Sequence, residues 1–188
     1  GNLDAGQVES AQVIHDSGSH LLSLINDVLD ISRIEAGKVE VFTEEINLAD
    51  VASMLEKRFH PLAGNKGVAL SVKLGENLPS AIQSDRRKIE QILTNLVGNA
   101  VKFTHQGRVE IVFAGVSEPE PALAVSIRDS GVGISPHKME SIFGAFEQAD
   151  GTTSRRFGGT GLGLTISRKL ARMLGGGITV SSEEGKGS

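Results

Sequence analysis

Over residues 4–36 the apolar positions keep a helical period: Ile14, Leu21 and Val28 lie seven apart, and Leu22, Leu24, Ile25, Leu29 and Ile31 widen the stripe. So broad a band predicts a helix that seeks partner helices. Gly37 is placed to end it. Residues 38–46 read as a strand, and Asn47 can cap a second helix reaching about Ala63, with Leu48, Val51, Leu55 and Phe59 inward. Residues 68–74 alternate as a strand, and 77–80 form a turn. Ser84 or Asp85 then caps a third helix, whose core side carries Ile89, Leu93, Leu96, Ala100 and Phe103. Residues 108–116 and 123–128 predict a hairpin. A short helix near 137–142, a helix over 160–174 and a strand over 178–181 complete the pattern. The polar, aperiodic stretch 147–157 is long for an idle connection, which predicts a lid.

Composition changes this picture mainly by exclusion. The 188 residues suffice for one good core and an appendage, and the 39% apolar and 22% charged fractions are those of a soluble globular chain. A net charge of −4 without a basic run gives no reason to expect nucleic acid. The absence of cysteine excludes disulfides and thiolate metal sites and fits a cytoplasmic address. No apolar run approaches the roughly 20 residues that span a bilayer. The first residues lack the basic and apolar regions of a signal peptide, so no direct membrane contact is expected of this segment. With no Trp and no Tyr, an adenine ring would have to be held by aliphatic walls, backbone and carboxylate.

Three clusters carry chemistry. In the third helix Asn95, Asn99 and Lys102 are spaced four and three apart and share one face. Amide oxygens beside an ammonium suit magnesium, which takes only one or two protein oxygens when substrate phosphates supply others. A solvated polar face would look the same from this stripe alone. The segment 129–134, Asp-Ser-Gly-Val-Gly-Ile, follows a strand. Its glycines allow close backbone approach to a flat ligand, and Asp129 could accept from adenine's exocyclic amine. Taken singly, it could also be an ordinary Asp-Gly turn. The segment 158–164, Gly-Gly-Thr-Gly-Leu-Gly-Leu, opens a helix, where unpaired amides and the positive dipole end favour phosphate. No lysine follows its last glycine and no strand precedes it, so it is neither a P-loop nor a dinucleotide fingerprint.

In order and spacing these clusters resemble the sensor histidine kinase catalytic domain, and more distantly the gyrase, mismatch-repair and chaperone ATPases. Residues 91–104 look like the family's asparagine box, 129–134 and 158–164 like its two glycine boxes, and 143–148 (Phe-Gly-Ala-Phe-Glu-Gln) like its phenylalanine box. Residues 21–37 resemble the second helix of the dimerisation and histidine-phosphotransfer hairpin. The resemblance implies an α+β fold: a two-layer α/β sandwich, its mixed and mostly antiparallel sheet packed on three helices, behind a long N-terminal helix. It divides the chain into residues 1–37, the hairpin's second helix, and 38–188, the ATP-binding domain, ending before its last strand.

Carried over by position, the resemblance implies ATP and Mg2+ as cofactors. Asn99 becomes the metal ligand, Asn95 a residue behind the ion or against phosphate, and Lys102 a phosphate contact. Asp129 reads adenine, Gly131, Gly133 and Ile134 pass beside the base, and Gly159, Thr160, Gly161, Leu162 and Gly163 pass beside the phosphates. Arg155 or Arg156 contacts the γ-phosphate. The implied partners are a phosphoacceptor helix, a response-regulator receiver domain and a second copy of the parent, a membrane-anchored sensor. The related ATPases usually place a water-activating glutamate where Asn95 stands, and an amide cannot act as a base, which favours kinase over hydrolase. A non-catalytic dimerising module is the alternative from another class.

The histidines add no site. His15 precedes Asp16, but Ser17-Gly18-Ser19 replaces the family's continuation after its phosphoacceptor. His15 and His20 are five apart, not the four that puts two ligands on one helical face. His60, His105 and His137 are expected at helix ends or on the surface.

Overall fold

Asp4 opens the first helix, α1 (Ala5–Glu35), with a reciprocal capping box: its carboxylate accepts from Gln7 N while the Gln7 side chain accepts from Asp4 N. The computed structural model describes residues 4–116, 122–139, 141–144 and 161–188. The remaining elements among the described residues are β1 (Glu44–Asn47), α2 (Leu48–Gly64), β2 (Val68–Leu74), β3 (Ala81–Ser84), α3 (Arg86–Phe103), β4 (Gly107–Val116), β5 (Ala122–Asp129), α4 (Pro136–Met139) and α5 (Gly163–Met173). Asn47 caps α2 by accepting from Ala49 N and Asp50 N, as its sequence position predicts. Of the two candidate caps for α3, Asp85 takes the role and accepts from Lys88 N at 3.1 Å.

The main sheet runs β2-β4-β5. β2 and β4 are parallel, so the chain between them crosses over through β3 and α3, whereas β4 and β5 form the expected antiparallel hairpin with Val109 opposite Asp129. Val109, Ile111 and Phe113 alternate inward from β4 and are fully buried. They meet Val51, Leu55 and Phe59 of α2 and Leu93, Val97 and Val101 of α3 in one core. The result is the mixed α+β sandwich anticipated from the resemblance.

Several local expectations change. The strand expected over 38–46 shrinks to β1, because two of the preceding backbone groups are engaged by side chains at the start of α3: Lys88 Nζ donates to Glu40 O and the cap residue Asp85 accepts from Phe42 N. β1 instead pairs with β3, which sequence reading passes over because it holds only Ala81 and Ile82 as apolar residues. The core stripe of α3 includes Val97 and Val101, while Leu96 and Phe103 are half-buried at the cleft. Of the helix expected near 137–142, residues 136–139 form α4, and Ile142 N still donates to Lys138 O at 2.9 Å. The strand expected over 178–181 joins no ladder among the described residues. The edge of β5 bonds instead to the chain's last residue, Asp129 N to Ser188 O at 2.9 Å and Ser188 N to Asp129 O at 3.2 Å.

α1 divides into two parts. Val13, Ile14, Leu21 and Leu22 are exposed. Near its C-terminus, Ile31 and Ile34 pack against Leu162, Ile166 and Leu170 of the α5 region. Gln91 donates to Asp30 at 2.9 Å and Lys169 pairs with Glu35 at 2.6 Å, so the end of α1 is held to α3 and α5.

Candidate nucleotide site

One face of α3, the turn after β5 and the start of α5 line one broad, open cleft, together with the face of β5 and residues 177–184. Asn95, Asn99 and Lys102 are all half-buried and line it together with Asp129, Gly133 and Gly163. The 3.6-residue period of α3 makes this possible, because the face opposite the stripe is committed to the core.

Asn95 Nδ2 approaches Gly163 O and Ser167 Oγ, each at 3.4 Å, and so links α3 to the first turn of α5. Ser167 is fully buried and was not legible as a site residue, since only the contact between the two helices reveals it. α5 begins without a side-chain cap. Its first-turn amides lack intrahelical acceptors, and its positive dipole end favours an anion. Leu162, expected beside phosphate, is fully buried, and its side chain serves the packing of α5 on α1.

On the opposite wall, Asp129 continues the inward-facing positions Leu123, Val125 and Ile127 of β5. Burial there raises its carboxyl above the ordinary aspartate value, against the opposing pull of hydrogen bonds from the Gly131 and Ser188 backbones. Asp129 Oδ1 accepts from Gly131 N at 2.9 Å, which fixes the turn. Gly131 is required sterically, because a Cβ there would lie 2.5 Å from Phe103 O. Gly133 has φ +67°, and a Cβ would meet Glu183 O at 2.1 Å. Ile134 N donates to Ser182 Oγ at 2.8 Å, and Val132 N to Phe103 O at 3.3 Å. The glycine turn is thus fastened both to the end of α3 and to residues 182–185.

Lys102 sits with its ammonium 4.9 Å from the centre of the Phe103 ring. Burial first, and the charge of Lys66 second, hold it below the ordinary lysine value. Phe143 is buried, with Arg168 stacked 4.7 Å over its ring, and its carbonyl accepts from Thr165 Oγ1 at 2.9 Å, which anchors the start of the phenylalanine box to α5. Residues 145–148 of that box, the expected lid 147–157, Arg155, Arg156, Gly159 and Thr160 lie outside the described residues.

Among the described residues no group of three His, Cys, Asp or Glu could hold a metal by itself. The donor set fits an ion that brings its own oxygens, since Asn99 supplies an amide oxygen at a cleft wall and the uncapped start of α5 is suited to phosphate. No helix among the described residues is long and apolar enough to cross a membrane.

The family described as histidine kinase-, DNA gyrase B-, and HSP90-like ATPase matches residues 84–188. The autoinducer 2 sensor kinase/phosphatase LuxQ of Vibrio vulnificus is 40% identical over 188 residues, covering 98% of this chain and 22% of the relative. The signal transduction histidine-protein kinase BarA of Escherichia coli is 39% identical over 192 residues, covering 99% of this chain and 20% of the relative. The chain thus spans about a fifth of the length of these curated relatives. Full-length ShkA, solved in complex with AMPPNP, superposes with a TM-score of 0.84 at 33% identity, over 100% of this chain and 38% of that one. The Acinetobacter baumannii histidine kinase AdeS shares the fold, with a TM-score of 0.75 at 24% identity over 100% of this chain and 83% of that one. The chain belongs to this ATPase family, as an ATP-binding catalytic domain of the sensor histidine kinase type.

Proposed function

We propose that the chain binds Mg–ATP in this cleft and transfers the γ-phosphoryl group to a histidine on a helix outside the chain. The observation that carries the reading is the meeting of the Asn95/Asn99/Lys102 face, the Asp129 turn and the uncapped start of α5 around one cleft. Bound magnesium would offset phosphate charge and orient the triphosphate, with Asn99 as its protein ligand. Lys102 and the first amides of α5 face the remaining phosphate charge, and Asp129 accepts from the adenine amine. An imidazole nucleophile needs little activation, so positioning and charge neutralisation are the main tasks. Asn95 donates to Gly163 O and lacks a carboxylate's basicity, which supports transfer over water activation.

Residues 1–37 and 38–188 are proposed as separate functional parts, the first belonging to a helical hairpin. The exposed stripe of α1 supports pairing with a second copy in the parent. A receiver domain as phosphoryl acceptor and a membrane-anchored parent rest on the kinship with sensor kinases. The decisive experiment supplies a separate acceptor hairpin with γ-labelled ATP. Label on the hairpin's histidine is expected; ATP hydrolysis without transfer would instead favour a clamp ATPase.

A further inference from the structure

The end of α3 lies at the cleft, and the carbonyls of its last turn need partners beyond the helix's own residues. Ala100 O accepts from Thr104 N at 3.1 Å and Thr104 Oγ1 at 2.7 Å. Phe103 O accepts from Val132 N at 3.3 Å. The two between them, Val101 O and Lys102 O, accept from one ammonium, Lys66 Nζ, at 2.9 and 2.8 Å. Lys66 comes from the turn after α2, which is fixed by Lys66 N to Ala63 O and Gly67 N to Gly64 O, both 3.0 Å, and by a left-handed Gly67.

A lysine in the last turn of a helix commonly folds back onto the final carbonyls, where the dipole attracts it. Lys102 is that lysine in α3. Lys66 already holds two of those carbonyls, and its like charge opposes a return of the Lys102 ammonium to them. The Lys102 ammonium lies over the Phe103 ring, and both residues line the cleft.

The geometry points to Lys66 as a positioning residue for Lys102: by occupying the end of α3 it directs the Lys102 ammonium into the cleft, toward nucleotide phosphate. The inference rests on the reading of the cleft as a nucleotide site. Its signature is selective loss of phosphate binding, because Lys66 contacts the helix end and is given no contact with the base.

The test titrates the 188-residue chain with Mg–AMPPNP and, separately, with adenosine. Variants are Lys66→Met, Lys66→Arg, Lys102→Met and the double Lys66→Met/Lys102→Met. Lys66→Met is expected to weaken AMPPNP binding about 5-fold, a typical coupling for residues in contact, and to leave adenosine binding unchanged. Lys66→Arg should restore most of the loss, since a guanidinium can also donate to two carbonyls. In the Lys102→Met background the Lys66→Met change should add nothing. Equal losses for AMPPNP and adenosine, no loss, or a full loss in the Lys102→Met background would each overturn the assignment. If the unaltered chain binds neither ligand, the nucleotide reading falls and this inference with it. If it binds both and Lys66→Met matches it, the inference alone falls.

Discussion

Lys88 Nζ lies 2.6 Å from Asp85 Oδ2 inside the protein, three residues along the same helix start. The pair is 9% and 3% exposed, so its surroundings must satisfy what water cannot. They do: Lys88 also donates to Glu40 O at 2.7 Å, and Asp85 also accepts from Phe42 N at 3.0 Å and Lys88 N at 3.1 Å. One ion pair therefore caps α3 and ties down the segment joining α1 to the catalytic core.

Breaking this pair one-sidedly should be costly. Lys88→Met leaves Asp85 buried without its cation and is expected to destabilise by about 3 kcal/mol in denaturant unfolding. Asp85→Asn/Lys88→Met should recover part of that loss, because Asn still caps a helix. Burial alone would raise Asp85, but the Lys88 hydrogen bond, the two backbone N–H groups and the Lys88 charge overcome it, leaving the carboxyl below its ordinary value. Stability from a depressed carboxyl is present above the ordinary aspartate value near pH 3.9 and is lost as pH falls through the lowered one. The acid-unfolding limb should accordingly move to higher pH in Lys88→Met. An unmoved limb would show that Asp85 is held down by the backbone alone.

Asp129 has the opposite shift and the opposite expectation. Its carboxyl is raised, first by burial, so ionising it costs stability as pH rises through that value. Asp129→Asn keeps an oxygen for Gly131 N and removes the desolvated charge. The variant should be at least as stable as the parent at pH 7, yet should lose ATP affinity by about 10-fold or more, the worth of one charged hydrogen bond. Phosphate recognition should suffer less than adenine recognition. If ATP and GTP compete equally for the unaltered site, Asp129 does not read the base.

Which candidate residues share a helix face or a turn was more legible than the long-range contacts around them. Asn95, Asn99 and Lys102 could be placed on one face because helical period alone fixes their relation. Asp129 and its glycines could be placed because a strand-to-turn junction is a local event. The link between Asn95 and Ser167 is 72 residues apart in sequence, and that from Lys66 to the end of α3 spans 35 and 36, distances over which no periodicity speaks. The strand expected over 38–46 failed for a related reason. Its alternation is real, but Asp85 and Lys88 take up the backbone of Phe42 and Glu40 from outside any sheet.

Asn99→Ala removes the amide oxygen assigned to the metal while leaving the core stripe of α3 intact. Thermal stability without ligand should change by less than about 1 kcal/mol, as for a half-buried side chain at a cleft wall. Affinity for ATP in the presence of magnesium should fall to near the level seen without it. Calorimetry with and without the ion separates the two effects. Equal magnesium dependence in the variant and the parent would remove Asn99 from the metal.

The exposed part of α1 gives the last expectation. Ile14 is 73% exposed and Leu22 63%, whereas Ile31 and Ile34 are covered by Leu162, Ile166 and Leu170. The apolar stripe therefore has its C-terminal end seated on α5 and its longer portion open to another helix. Self-association through that portion should leave the seated end in place. Leu22→Glu with Ile25→Glu should make the chain monomeric in sedimentation while keeping amide protection in α5. A chain beginning at Gly37 should also lose association, but at the additional cost of exposing Ile166 and Leu170, roughly 2 kcal/mol or more for each isoleucine or leucine uncovered. Monomeric behaviour of the unaltered chain, with α1 protected along its whole length, would mean that the stripe is covered from within and that residues 1–37 are not a separate part.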